Sequence, residues 1–209
     1  MAYRISFIAI LIICAVFLPG AATRNIKDLP AHRLEVLFLG HTSNQHHNSE
    51  RLASIFNKEY FKSGINITFT MDPADLTETN LAHYDALILY ANHDTIADAQ
   101  AKALLNFVKS GKGFIPLHCA SWCFRNNAEV VELIGGQFKS HKYNSFPAVI
   151  VKSDHEVAQG IAPFVTEDET YVHSKLASDI QVITERVEGD HHEPYTWVKS
   201  YGQRSEEHT

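Results

Sequence analysis

Four short apolar runs, separated by stretches long enough for a helix or an irregular crossover, dominate the chain between residues 33 and 118. They are RLEVLFLG (Arg33–Gly40), INITFT (Ile65–Thr70), DALILY (Asp85–Tyr90) and FIPLH (Phe114–His118). Runs this short and this apolar fit strands of a parallel sheet, which are buried on both faces. INITFT alternates instead, as a half-exposed strand does. After the first run Asn48 or Ser49 can cap a helix, in which Leu52, Ile55, Phe56 and Tyr60 fall at helical spacing and Gly64 marks the stop. PADLTETNLAHY reads as a short helical or irregular crossover. Residues 98–110 form a helix with Ala101, Leu104, Leu105 and Val108 inward. Pro116 is awkward within FIPLH because it has no N–H for a ladder. Strand and helix in alternation predict an α/β fold with a parallel sheet. Further on, NNAEVVELIGG predicts a helix stopped at Gly135-Gly136, and PAVIVKS, DIQVITERV and YTWVKSYG predict more strands. No internal repeat or low-complexity linker interrupts them.

The length of 209 residues suits one domain with room for a lobe, and 45% hydrophobic against 20% charged content is globular. A formal charge of −6 argues against a nucleic-acid partner, which asks for a basic face. Residues 1–22 are expected to be a signal peptide: Arg4 is a short basic region, Ile5 to Leu18 is apolar but short for a membrane span, and Pro19-Gly20-Ala21-Ala22 ends in small residues. Cys14 does not fit a lipoprotein signal, since Ile13 stands where a small residue is needed. The expected location is secreted or periplasmic, with an uncleaved membrane anchor as the lesser alternative. At the other end RSEEHT (Arg204–Thr209) breaks the strand pattern and matches one reading frame of a common sequencing adapter, so residues 204–209 are expected to be a non-native tail.

Thirteen histidines are many for this length. Some, such as His208, read as solvated surface. Others fall where chemistry is usual, just past the carboxyl ends of the strands. His41 follows the first run, His93 follows DALILY, and His118-Cys119 closes FIPLH. In a doubly wound sheet those three strands lie side by side, with His46 and His47 on the loop next to them. Each ring could be structural. Together, His41, His93 and His118 are candidate ligands for a divalent metal, since three imidazoles plus water is a zinc arrangement. They are equally candidates for acid–base work on a polar substrate, or for hydrogen bonding to a sugar without chemistry. No H-E-x-x-H motif favours the metal.

A strand that turns sharply into a helix displays the residue at the turn. Here that residue is expected to be His118, with Cys119 one step later and lowered in pKa by a helix N-terminus. No G-x-C-x-G or G-x-S-x-G surrounds it. Cys119 and Cys123 are the cysteines left after removal of residues 1–22. At i, i+4 on one helix a relaxed disulfide is disfavoured, and two buried inert thiols are the plainer outcome. EDETYVHSK (Glu167–Lys175) offers Asp168, Glu169, Tyr171 and His173, with Glu169 able to orient an imidazole; a solvated loop is the alternative.

The ordered set LFLGHTSNQHHNSERL, DALILYANHD, GKGFIPLHCASWCF, LIGGQFKSHK, DHEVAQGI, DETYVHS and YTWVKSYG resembles the ThuA-like, or trehalose-utilisation, domain from about Leu34 to Gly202, which places the domain at residues 33–203. The resemblance implies a flavodoxin-like three-layer α/β sandwich, similar to class I glutamine amidotransferases. It also implies a link to carbohydrate metabolism, and partner modules that oxidise sugars or bind haem. It argues against amidotransferase chemistry, because His118 stands where those enzymes carry their cysteine. In the family a glycine, a further strand and a Gly-His pair usually follow WVKSYGQ; RSEEHT stands there instead, so a C-terminally truncated sheet and site are expected. On this reading a secreted domain binds or acts on a sugar derivative in a His-lined pocket. His41, His118 and Glu169 are the catalytic candidates, and His46, His47, His93, Cys119 and His173 the ligand-binding ones. The alternatives are a non-catalytic accessory domain of a sugar-oxidising system and a metal-assisted hydrolase or lyase.

Overall fold

The computed structural model describes residues 32–41 and 47–202, so the expectations for residues 1–22, for His46 and for residues 204–209 lie outside the described residues. The chain runs through β1 (Leu34–Leu39), α1 (Ser49–Tyr60), β2 (Ile65–Thr70), α2 (Glu78–Leu81), β3 (Ala86–Leu89), α3 (Asp98–Lys109), β4 (Gly113–Pro116) and α4 (Ala128–Ile134). It continues through β5 (Gly136–Ser140), β6 (Tyr143–Ile150), β7 (Phe164–Glu169), β8 (Val172–Leu176), β9 (Gln181–Glu188) and β10 (His191–Val198). Two units divide it: one holds residues 139–172 and 180–198, and the other holds the remaining described residues. No helix among the described residues is long and apolar enough to cross a membrane.

The larger unit is built on a parallel sheet in the order β2-β1-β3-β4. Its register runs from Leu34 opposite Ile65 to Leu39 opposite Thr70, and from Ala86 opposite Gly113 to Leu89 opposite Pro116. The last four residues of β1 are all buried, so both faces of the strand are covered. Leu37 and Leu39 belong to a core with Leu87, Leu89, Leu104 and Phe107, while Phe38 packs on Phe56 of α1 and Phe69 of β2, with ring centroids 6.1 and 5.9 Å away. Each such side chain contributes about 2 kcal/mol by leaving water. The helix ends follow their sequence signals. Asn48 accepts from the Arg51 N–H and caps α1, Asn127 caps α4 through the Glu129 and Val130 N–H groups, and Gly64 and Gly135 end helical turns in the left-handed region.

Pro116 is accommodated because, among the described residues, β4 is an edge strand of this sheet. The Gly113 and Leu117 N–H groups point to β3, donating to Asp85 O and Leu89 O at 2.9 and 2.8 Å. Alternation then turns position 116 away from β3, where no ladder bond is lost.

The smaller unit departs from the sequence expectation. Its sheet is antiparallel, in the order β10-β9-β6-β7, and burial along β6 alternates. Phe146 and Ala148 face in, and Ser145, Pro147 and Val149 face out. Arg186 of β9 is buried, ion-paired to Glu188, opposite Glu193 in register, and donates to Tyr171 O at 2.9 Å. EDETYVHSK is not a loop: it supplies the end of β7 and most of β8, which pairs with β5. FIPLH is likewise trimmed, since β4 stops at Pro116 and His118 opens a five-residue 3-10 helix, His118–Trp122.

Candidate functional site

Gly40 fixes how closely α1 can approach the end of β1. A Cβ there would stand 2.5 Å from Ser49 Oγ and 2.7 Å from the Phe69 ring. That closeness lets Ser49, the first residue of α1, use its hydroxyl on the next residue rather than on the helix. Ser49 Oγ donates to His41 O at 2.9 Å and accepts from His41 N at 3.2 Å. The backbone of His41 is thereby locked, and its ring is held in the interior, 6% exposed.

His93, past β3, is tied to the same strand end. Its Nε2 lies 2.9 Å from Gly40 O, a carbonyl that can only accept, so Nε2 is the donor in this contact. Its ring stacks on Phe124, nearly parallel at 7° with centroids 6.2 Å apart, and its carbonyl accepts from the Phe124 N–H at 2.8 Å. His118, past β4, sits at φ +49°, in the left-handed region that side chains rarely adopt. A residue held there costs of order 1–3 kcal/mol and persists only where its surroundings enforce it.

Four imidazoles converge at these strand ends. Centroid separations are 6.5 Å for His41–His93, 6.3 Å for His41–His47 and 5.0 Å for His47–His118. Tyr90 joins them, with its ring 6.0 Å from His47 and 6.3 Å from His118. One nitrogen each of His47 and His118 and the Sγ of buried Cys119 all lie within 4.8 Å of one another. Neither ring nitrogen of His41 makes a hydrogen bond of normal geometry among the described residues. Burial holds its pKa below the ordinary 6.5, His93 lowers it further, and the nearby Tyr90 backbone opposes both. His41 is therefore a neutral imidazole at neutral pH, with a lone pair on one nitrogen.

The cysteines differ from expectation in their support. Both are buried thiols outside any disulfide, but Cys119 lies within a five-residue 3-10 helix and Cys123 closes it, in place of the α-helix expected. Burial, reinforced by the neighbouring Cys119, pushes the Cys123 thiol up, and its Sγ–H donates to Ala91 O at 2.9 Å. Beyond them Asp94 accepts from Trp122 Nε1 at 2.8 Å and from Arg125 at 3.0 Å, while the Arg125 guanidinium lies 3.4 Å from the Trp122 ring centre.

His41, His47, His93, His118 and Cys119 are thus gathered in one place. His46 lies outside the described residues. Glu169 belongs to the smaller unit, where its carboxylate stands 3.7 Å from His141, and His173 lies on β8. A cavity of about 260 Å³ opens elsewhere, between Leu76–Glu78 and the first turns of α3, with Thr77, Glu78, Gln100 and Lys102 as its polar lining. Tyr90 was legible only as the last letter of DALILY. The role of Ser49 was hidden in the choice between two capping residues.

The family model described as trehalose utilisation, ThuA, matches residues 35–205. Among curated proteins no sequence matches. Among the solved structures with similar folds are two ThuA-like proteins. One is a ThuA-like protein from Bacteroides uniformis, 16% identical with a TM-score of 0.66, covering 90% of this chain and 82% of its own. The other is a ThuA-like protein from Parabacteroides merdae, 15% identical with a TM-score of 0.67, covering 81% of this chain and 76% of its own. At such identities the likeness establishes the fold and no more, whereas the family model spans most of the sequence: the chain belongs to the ThuA, or trehalose-utilisation, family.

Proposed function

We propose that this chain is an exported carbohydrate-active domain that binds a sugar or sugar derivative at the histidine cluster and moves protons there with His41 and His118. One observation carries the reading: three imidazoles from the ends of adjacent parallel strands and a fourth, His47, from the loop before α1 meet, one of them on left-handed backbone. Hydrolysis and elimination at a sugar both need a base and an acid within reach of one substrate. A neutral buried imidazole at 41 is suited to accept a proton, and His118, beside Tyr90, is the second member of the acid–base pair. His93, tied to Gly40, holds the edge in place. The family's description supports a carbohydrate substrate. The same reading takes the fold as a three-layer sandwich, residues 1–22 as the export signal, and sugar-oxidising or haem-binding modules as partners.

The test is a screen of oxidised and unoxidised disaccharides for cleavage or elimination by the full chain. Turnover that falls about 100-fold or more in His118→Ala is expected, the size of a lost acid–base group. Saturable sugar binding with no turnover would replace this reading with a non-catalytic accessory role. Turnover indifferent to His118→Ala would move the chemistry elsewhere.

A further inference from the structure

We infer that His47, His118 and Cys119 form a binding site for a thiophilic divalent metal ion of the zinc class. The three donor atoms lie within 4.8 Å of one another. A tetrahedral ion bound at about 2.0–2.3 Å holds its donors roughly 3.3–3.8 Å apart, so small side-chain rotations close the set. Two imidazoles and a thiolate are borderline-soft donors. They select zinc, cobalt or copper over magnesium and calcium, which demand oxygen.

The sequence pointed instead to His41, His93 and His118. The Nε2 of His93 is turned to the Gly40 carbonyl, and its ring is stacked on Phe124. The loop residue His47 and the buried thiol of Cys119 complete the donor set around His118 in their place. A second observation points the same way. His41 is 6% exposed, neither ring nitrogen makes a hydrogen bond of normal geometry among the described residues beyond a loose approach to the Tyr90 backbone, and its ring is 6.3 Å from that of His47. Buried polar atoms are normally satisfied, and a group held by the metal in its fourth, non-protein position would offer His41 a partner.

The binding step balances simply. The two imidazoles bind as neutral lone-pair donors, Cys119 gives up its S–H proton, a metal–sulfur bond forms, and one proton is released to solvent per ion. This deepens the reading above at the same site: with the ion bound, His118 is a ligand rather than the proton donor, and the Lewis acidity of the ion takes that place; the inference itself rests on donor geometry alone. A chain that binds metal and no sugar keeps this inference and loses the other; a chain that turns over sugar and retains no cobalt does the reverse.

Cobalt(II) titrated into the full chain after chelator dialysis is the probe. One ion per chain is expected, with visible bands of tetrahedral intensity and a near-ultraviolet sulfur-to-cobalt charge-transfer band. Cys119→Ser should abolish the charge-transfer band, and His47→Ala should weaken binding by at least about 10-fold, the least that a lost outer-sphere partner costs. Cys123→Ser is the control, since that thiol is engaged with Ala91 O, and should leave the spectrum unchanged. Should Cys119→Ser fail to fold, cobalt must still slow alkylation of Cys119 in the unaltered chain. No retained cobalt, a spectrum without sulfur charge transfer, or a band that follows Cys123 overturns the inference.

Discussion

The parallel and antiparallel sheets keep their interiors dry with different material. Along β1 the last four side chains are all buried, and the packing is aliphatic and aromatic throughout. Along β6 burial alternates, and the buried side of the neighbouring β9 includes a guanidinium, Arg186, held among Glu188, Glu193 and the Tyr171 carbonyl. A sheet covered on both faces leaves only its strand ends for chemistry, and there the histidines gather. A sheet with one wet face spreads polar residues along its whole length, where most of them are solvated surface.

The sharpest way to break this contrast is to cut one apolar residue from each sheet. Phe38→Ala removes a ring that is 0% exposed and is expected to cost about 3–5 kcal/mol in urea unfolding. Val165→Ala on β7, 61% exposed, is expected to stay within about 0.5 kcal/mol. Equal losses would mean that the outer face of the antiparallel sheet is not the wet one. Next in size is Arg186→Ala. It leaves Glu193 buried opposite an empty position and is expected to cost about 3 kcal/mol. A neutral result would show that the smaller unit relies on apolar packing as the larger one does. The smallest effect lies at the strand ends. His118→Gly should be about 1 kcal/mol more stable than His118→Ala, because both lose the ring but only glycine accepts φ +49° without strain. No difference in their melting temperatures would mean that the backbone at 118 relaxes once the ring is gone.

The same contrast explains what the sequence revealed. VLFL and ALIL advertise burial on both faces, and Gly40, Gly64 and Gly135 mark where the chain must turn, so the parallel sheet could be read directly, with β1, β3 and β4 expected side by side. The histidines at 41, 93 and 118 followed, because strand ends in such a sheet share an edge. FVTEDE and VHSKL gave no such signal. Acidic residues on a one-sided strand look like a solvated loop until a pairing partner is known, and β7 finds its partner in β6, some twenty residues back. Which atoms meet was less legible still. Whether Ser49 caps α1 or grips His41, and whether His47 or His93 turns toward His118, depends on side-chain directions that periodicity does not encode.

Proline at 116 also shields the larger sheet from its neighbours in solution. β4 spans Gly113 to Pro116, and with the Gly113 amide committed inward and proline lacking one, Phe114 is left as the main outward donor. An intruding strand from another molecule would find a template with most of its teeth missing, which discourages intermolecular zippering along that rim.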